Sequence, residues 1–353
     1  MSLRFGYWLP VFGGWLRNVE NEAMPATWEY VRDLAVRSEA IGFDLTLVAE
    51  LNLNDIKGPE APALDAWTTA AALAAVTRRL ELMVAVRPTF HHPALFAKQA
   101  ANIDQLSGGR LALNVVSSWW KDESSQHGLP FDEHDRRYER TREWLAVVKG
   151  MWTEPRFSHS GALYRIEEAV LEPKPARSPW PPLYAGGESV AAKELIARDC
   201  DAYVMHGDAP ETIAGRIADM RERRRRLAPH APPLVFGVSG FVVCRRTREQ
   251  ARREVARITD VKAFSRGYAN YEQWLSGTKL EQRVSLEDYS VSNRGLRSGL
   301  VGTPDDIAER LAAFESAGAQ LTLLQFSPQA EEMDRFAEEV IPRLRPARRE
   351  VVA

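Results

Sequence analysis

The residues best suited to chemistry stand just after short apolar runs of the kind that form buried strands. Residues 111–116 are such a run, and the chain then changes to Ser117-Ser118-Trp119-Trp120-Lys121-Asp122-Glu123. Packing alone does not require this polar and aromatic cluster, and Asn114 already interrupts the run. In a barrel of parallel strands, the carboxyl ends of the strands carry the active site. We therefore interpret residues 114–123 as part of a ligand site.

A second candidate is the tetrapeptide Gly186-Gly187-Glu188-Ser189, which lies between a predicted strand and a predicted helix. Two glycines let the backbone approach a ligand closely, and the free N–H groups of a helix N-terminus favour phosphate. Ser189 adds a hydroxyl donor. A helix N-cap with a tight turn explains the same residues. Because barrels often hold phosphate in their later loops, we favour the phosphate site.

Polar residues also follow other predicted strands. Ala49 and Glu50 end one strand, Arg87 ends the next, and His206 follows a later one. A barrel brings all these ends to one face, so their convergence favours a ligand site, although loop residues are polar in any barrel. Arg137 and Tyr138 open a predicted helix, where they could reach a phosphate or stack on a ring. Nearby arginines make a solvated helix face the alternative.

Motifs for metal binding or for a protein nucleophile are missing from the sequence. There is no His-Glu-x-x-His or Cys-x-x-Cys spacing, no Gly-x-Ser-x-Gly turn and no Walker loop. The two cysteines, Cys200 and Cys244, adjoin predicted strands and are not plausible nucleophiles. This pattern points weakly to chemistry carried by an organic cofactor.

The elements that must position these residues alternate along the chain as short apolar runs and helical patterns. The predicted strands are residues 3–9, 43–48, 80–86, 111–116, 183–185, 201–205, 234–243 and 320–326. Eight strands, most followed by a helix, predict a (β/α)₈ barrel. An open doubly wound sheet would usually show a Gly-x-Gly-x-x-Gly turn after its first strand, and none occurs here. We expect one domain over residues 1–353, with insertions at about 152–182 and 260–300.

Composition narrows the class of protein further. Of 353 residues, 45% are apolar and 27% charged, and the net charge is −2, which gives no field that would attract nucleic acid or an anionic membrane. The basic run at residues 221–226 ends a predicted helix, where the dipole favours cations. No apolar run approaches the ~20 residues that span a bilayer. Two distant cysteines fit a reducing compartment, so we expect a soluble cytoplasmic protein.

Taken together, several motifs resemble those of the bacterial-luciferase-like flavin monooxygenases, in the branch of alkanesulfonate, dimethyl sulfone and pyrimidine monooxygenases. The similarity covers nearly the whole chain. The motifs that carry it are Tyr7-Trp8-Leu9-Pro10, Ala85-Val86-Arg87-Pro88, Gln99-Ala100-Ala101-Asn102-Ile103-Asp104, Ser107-Gly108-Gly109-Arg110, Asn114-Val115-Val116-Ser117, His134-Asp135-Arg136-Arg137-Tyr138, Pro182-Leu183-Tyr184-Ala185-Gly186-Gly187-Glu188-Ser189 and Leu300-Val301-Gly302-Thr303-Pro304.

The resemblance implies a (β/α)₈ barrel that uses reduced FMN and dioxygen, acting through a flavin peroxide. It places the cofactor against Ala49, Glu50, Arg87, Asn114, Glu123, Arg137, Tyr138, Gly186, Gly187 and Ser189. On the same basis we expect Ser189, Gly187 and Arg137 to hold the FMN phosphate. Asn114, Ser117 and Trp119 would surround the isoalloxazine ring and the oxygen site as the catalytic residues.

Departures from the alkanesulfonate pattern bear on the substrate. The histidine that those enzymes carry after the first strand is Phe12 here, and their sulfonate-facing arginine and histidine correspond to Ser239 and Phe241. An anionic sulfonate needs cationic donors, so a small neutral substrate fits better. Arg294 and Arg297, in the second insertion, could still supply charge at the catalytic site, or they could face solvent. We expect Trp8, Phe12, Trp120 and Phe241 to line the substrate pocket.

These expectations describe a two-component monooxygenase that oxidises a small organosulfur compound similar to dimethyl sulfone, with C–S cleavage. A separate NAD(P)H:flavin reductase would supply FMNH₂, and we expect a homo-oligomer, either a dimer or a tetramer. Alkanesulfonate, heterocycle and haloaromatic oxidation are alternatives in the same branch. A deazaflavin-dependent oxidoreductase and a non-catalytic flavin-binding relative are alternatives of other classes. The sequence does not decide the substrate.

Overall fold

The structure is a computed structural model that describes residues 3–261, 266–277 and 284–344. The strands, in chain order, are β1 (Arg4–Trp8), β2 (Leu45–Val48), β3 (Glu81–Val86), β4 (Leu111–Val115), β5 (Phe157–Ser160), β6 (Arg165–Ala169), β7 (Leu183–Ala185), β8 (Ala202–His206), β9 (Val235–Phe241), β10 (Val243–Cys244), β11 (Val301–Gly302) and β12 (Leu321–Gln325). The α-helices are α1 (Trp28–Ala40), α2 (Ala66–Val76), α3 (Pro93–Ser107), α4 (Lys121–Gln126), α5 (His134–Thr153), α6 (Val190–Asp199), α7 (Pro210–Leu227), α8 (Arg248–Ile258), α9 (Tyr271–Gly277), α10 (Leu286–Ser290), α11 (Pro304–Ala317), α12 (Gln329–Glu339) and α13 (Ile341–Leu344).

Eight of these strands form a closed barrel in the order β1, β12, β9, β8, β7, β4, β3 and β2. All neighbouring strands run parallel, and β1 pairs with both β12 and β2, which closes the sheet. Every residue of β3 is buried, as expected for a parallel strand that packs inside the barrel and is covered outside by helices. The predicted (β/α)₈ barrel is thus confirmed, and the open sheet is excluded.

Helix starts follow local sequence signals. Thr303 and Asp306 form a reciprocal capping box at the start of α11, and Pro304 occupies its first turn. Asp65 caps α2 by accepting a hydrogen bond from the backbone N–H of Thr68. These two signals set the residues at which α2 and α11 begin. Within the described ranges, no helix has both the length and the apolar content needed to cross a membrane.

Short strands outside the barrel occur directly after β9 and in the first insertion. The predicted strand at residues 234–243 is divided, because β9 ends at Phe241 and β10 pairs with β11 outside the barrel. In the first insertion, β5 and β6 form an antiparallel pair.

The second insertion supplies one wall of the barrel mouth. Its described part consists of short helices and ends in the 3₁₀ helix Ser292–Ser298. Helices this short do not show a clear helical periodicity of apolar residues in the sequence. Residues 262–265 and 278–283 of the predicted insertion lie outside the described residues. A Cβ atom added to Gly295 would lie 2.6 Å from the Cβ atom of Phe241, so only glycine allows this segment to rest on the end of β9.

Candidate active site

A cavity of about 310 Å³ opens at the carboxyl ends of the barrel strands. Its volume lies near the lower end of the usual range for ligand pockets, about 300–1,000 Å³. Fourteen of the residues predicted to contact the cofactor, act in catalysis or line the substrate pocket are part of its wall. They are Trp8, Phe12, Ala49, Glu50, Arg87, Asn114, Ser117, Trp119, Arg137, Tyr138, Gly186, Gly187, Ser189 and Arg294.

Four other predicted site residues are not part of the cavity wall. Trp120 is buried behind Trp119, with its ring stacked at a centroid distance of 5.4 Å. Phe241 is buried beneath the 3₁₀ helix Ser292–Ser298, where it meets Gly295. Glu123 is fully buried and pairs with Arg87 of the wall. Arg297 pairs with Asp288 at 2.6 Å, away from the cavity.

The start of α6 forms a cradle suited to a phosphate group. Ser189 caps this helix, and its hydroxyl accepts a hydrogen bond from the backbone N–H of Ala192 at 3.2 Å. Gly187 adopts a φ of +154°, and a Cβ atom there would lie 2.5 Å from the Cβ atom of Ala192. The same Cβ atom would lie 3.7 Å from the hydroxyl of Tyr138. Glycine at this position therefore keeps open the space between the backbone of residue 187 and the phenol of Tyr138.

Two side chains from α5 complete the cradle. Burial raises the pKa of Tyr138, which keeps its phenol protonated, and its side chain hydrogen-bonds to that of Ser189. Arg137 lines the cavity beside it and donates a hydrogen bond to the carbonyl of Ser118. The cradle thus combines helix N–H groups, hydroxyls and a guanidinium, which are the donors that bind phosphate. These residues fit the phosphate of a bound nucleotide cofactor.

A buried ionic network lies beside the cavity at the ends of β2 and β3. The Arg87 side chain is 1% exposed and forms a bidentate pair with Glu123, with Nη2 3.1 Å from Oε1. The backbone N–H of Arg87 donates to Oε2 of Glu50 at 2.7 Å. The other carboxylate oxygen of Glu50 lies 2.5 Å from Nε2 of His91. Arg87, which follows β3, therefore holds two carboxylates in place, one after β2 and one in α4.

The second insertion closes the cavity with an unusual backbone. Asn293 and Arg294 both adopt left-handed conformations, with φ values of 55° and 53°, which cost energy in residues other than glycine. This conformation lets Arg294, only 4% exposed, pair with Glu188 of the phosphate loop. It also brings the carbonyl of Asn293 within 3.1 Å of Nδ1 of His206, which donates to it. The sequence alternative of a solvent-facing Arg294 is therefore wrong.

We expect His206 to make stability depend on pH. Shielding from bulk solvent, with a smaller effect of Arg294, lowers its pKa to about 4. In the unfolded chain, the imidazole of His206 binds a proton below about pH 6.5, whereas in the folded protein it stays neutral down to about pH 4. The free energy of unfolding should therefore keep its full value above about pH 6.5 and fall by up to about 3 kcal/mol as the pH drops towards about 4. Urea unfolding across this range should show a shallower pH slope in His206→Gln. Substitution of the exposed His230 should leave the slope unchanged, and equal slopes for all three proteins would contradict the assignment.

Several cavity residues were missed at the sequence level. Arg17 forms a buried ion pair with Asp55 at 2.6 Å, and its guanidinium lies 3.8 Å from the ring centre of Tyr289. All three line the cavity, together with Trp15. The available signal was the position of Trp15 and Arg17 in the loop after β1, which is another strand end of the same barrel face. Among the described residues, no group of three His, Cys, Asp or Glu side chains could hold a metal ion.

Comparisons with known proteins agree with this geometry. The family model described as luciferase-like monooxygenase matches residues 3–321. An FMNH₂-dependent dimethylsulfone monooxygenase of Pseudomonas putida is 35% identical over 353 residues, covering 97% of this chain and 95% of that protein. The enzyme of the same description from Pseudomonas fluorescens (strain Pf0-1) is 34% identical over 360 residues, covering 98% and 95%.

A solved structure of low sequence identity has the same fold. The long-chain alkane monooxygenase LadA superposes with a TM-score of 0.83 at 19% identity, covering 98% of this chain and 91% of its own. At that identity the superposition shows the shared barrel alone.

Proposed function

Because the chain belongs to the luciferase-like monooxygenase family, we propose that it is an FMNH₂-dependent monooxygenase acting on dimethyl sulfone or a similarly small, neutral organosulfur compound. The observation that carries the proposal is the cavity itself. It joins a phosphate cradle at the start of α6 to an aromatic chamber beneath the second insertion. The 35% identical relative is described with this cofactor and this substrate.

The residues of the wall fit reduced FMN. Ser189, Gly187, Tyr138 and Arg137 would hold its phosphate, because together they offer helix N–H groups, hydroxyls and a guanidinium at one point of the cavity. Asn114 lies on the wall at β4 and would contact the ring system. Bound reduced flavin supplies the electrons that activate dioxygen. The protein contributes orientation of the bound molecules and exclusion of water.

Charge balance at the cavity favours a neutral substrate. Five arginines line the wall, and Arg137 belongs to the phosphate cradle. Each of the other four is already paired with a carboxylate. These pairs are Arg17 with Asp55, Arg87 with Glu123, Arg216 with Asp208 and Arg294 with Glu188. A sulfonate would need cationic donors that are free to pair with it, whereas a sulfone needs only weaker hydrogen bonds.

Aromatic side chains form the water-excluding part of the wall. Trp8 packs edge-to-face on Trp15 at a centroid distance of 6.5 Å, and Trp119 is backed by the stacked ring of Trp120. Phe12 and Tyr289 add further apolar surface. Exclusion of water protects the reactive oxygen chemistry from side reactions that would release hydrogen peroxide. Trp120 thus supports the wall from behind, although it does not line the cavity.

The test supplies purified protein with FMN, a flavin reductase, NADH and oxygen. We expect dimethyl sulfone to be oxidised, and to suppress hydrogen peroxide release far more than methanesulfonate, a pyrimidine or a halogenated phenol does. Preference for methanesulfonate would contradict the charge argument. Flavin binding without oxidation of any of these compounds would indicate a non-catalytic relative, and tight deazaflavin binding without oxygen consumption would indicate a different redox class.

We also propose a source of the reduced flavin, an oligomeric state and a cellular compartment for the enzyme. A separate NAD(P)H:flavin reductase would supply the reduced cofactor, and the enzyme would be a homodimer or homotetramer. Two buried, unpaired cysteines fit a reducing cytoplasm. We also propose that residues 1–353 form a single domain.

A further inference from the structure

Glu50 and His91 connect the cavity wall with the outside of the barrel. Glu50 lines the cavity and is 9% exposed. Its Oε1 atom lies 2.5 Å from Nε2 of His91, which is within the distance needed for proton transfer. The His91 side chain is 20% exposed and does not line the cavity. The imidazole therefore touches the buried carboxylate with one nitrogen and has part of its surface in solvent.

Both members of this pair are held firmly in position. The His91 ring packs edge-to-face on Trp67 and Phe96, with ring centroids 6.1 and 5.4 Å apart. The backbone carbonyl of His91 accepts a hydrogen bond from Trp144 at 2.8 Å. Two aromatic walls and an anchored backbone fix the orientation of the imidazole towards Glu50. Such orientation is what a proton-transferring histidine needs.

The second carboxylate oxygen of Glu50 is occupied by Arg87. Oε2 accepts the backbone N–H of Arg87 at 2.7 Å, and Nε of the same residue lies 3.4 Å away. Arg87 is in turn held by Glu123. Oε1 is therefore the oxygen of Glu50 that faces His91. Arg87 and Glu123 act as positioning residues for the pair.

We propose that Glu50 and His91 form a proton-transfer route between the flavin cavity and bulk solvent. The inference rests on the monooxygenase function proposed above. In that reaction, substrate, O₂, the reduced flavin as its anion FMNH⁻ and one proton give oxygenated substrate, FMN and water, so the flavin supplies two electrons and one proton, and solvent supplies the second proton of the water. The aromatic wall keeps bulk water away from this exchange. A proton taken up by His91 from solvent passes from Nε2 to Oε1 of Glu50, and no electrons move along the route.

The test compares His91→Gln with His127→Gln. Glutamine keeps a hydrogen-bond donor for Glu50 but cannot relay a proton. His127 is a nearby exposed histidine whose Nδ1 lies 2.8 Å from the backbone carbonyl of Glu123 and whose ring packs edge-to-face on Phe90, so it has no carboxylate partner in these contacts. We expect His91→Gln to slow the reoxidation of bound FMNH₂ by O₂ by about 10²-fold. Oxidised FMN should bind to His91→Gln with unchanged affinity, and His127→Gln should reoxidise FMNH₂ at the wild-type rate.

Two further measurements separate a relay from a purely structural role. Added imidazole should restore the rate in His91→Ala, because a free imidazole can occupy the vacated space and carry protons. In flavin-free protein, nuclear magnetic resonance should show a slowly exchanging imidazole N–H signal that is lost in Glu50→Gln and in His91→Gln. Normal reoxidation in His91→Gln, or a slow rate that imidazole fails to rescue, overturns the relay. If the wild-type protein does not bind FMNH₂, the proposed function falls as well.

Discussion

Replacing Arg87 with methionine is expected to lower the free energy of unfolding by about 3–5 kcal/mol. The Arg87 and Glu123 side chains are 1% and 0% exposed, so removing the guanidinium leaves a buried carboxylate without its counter-charge. The backbone N–H of Arg87 still donates to Glu50 in the variant, but Nε of Arg87, 3.4 Å from Oε2 of Glu50, is lost as well. The loss therefore reports on the charge of Glu123 and, to a smaller extent, on that of Glu50. Urea denaturation of the flavin-free protein, followed by circular dichroism, measures the difference.

Two controls test the cause of this loss. The double variant Arg87→Met with Glu123→Gln removes both charges and should recover part of the stability, because a buried pair replaced as a whole often costs little. Arg225→Met removes one member of an exposed pair with Glu222 and should change the free energy of unfolding by less than about 1 kcal/mol. A loss below about 1 kcal/mol in Arg87→Met would show that the network contributes little.

Replacing Gly187 with alanine should weaken FMN binding by at least about 10²-fold, which corresponds to about 2.8 kcal/mol. The new Cβ atom would meet Ala192 at 2.5 Å, and its φ of +154° is unfavourable for alanine. Relief of this clash moves the loop away from the first turn of α6, where Ser189 and the free N–H groups lie. Titration with oxidised FMN, followed by flavin fluorescence, gives the dissociation constant.

The same titration with riboflavin identifies the part of the ligand that is affected. Riboflavin lacks the phosphate, so its affinity should change much less than that of FMN in Gly187→Ala. Gly42→Ala is the matched backbone control, because Gly42 also has a positive φ of +101° but has open space around its Cβ position. Equal losses for FMN and riboflavin would place the phosphate elsewhere. A similar loss in Gly42→Ala would indicate a general effect on folding.

Much of the candidate site followed from local sequence. Gly187 and Ser189 were identifiable because a strand, two glycines and a helix start occur in direct succession, and barrel closure must bring that turn to the same face as Asn114. Local sequence did not show which of Trp119 and Trp120 lines the cavity. The left-handed backbone at Ser118, with a φ of 60°, places Trp119 on the cavity wall and Trp120 behind it.

The sequence by itself determined the alternation of strands and helices, the helix caps and the strand-end positions of the site, since each of these depends on residues close together in the chain. Only the tertiary structure decided the ionic partners. Arg87 and Glu123 are 36 residues apart, and Arg294 and Glu188 are 106 apart. Charged side chains of either sign have many potential partners along a chain. Which of them are buried together depends on how the barrel closes and on how the second insertion packs against it.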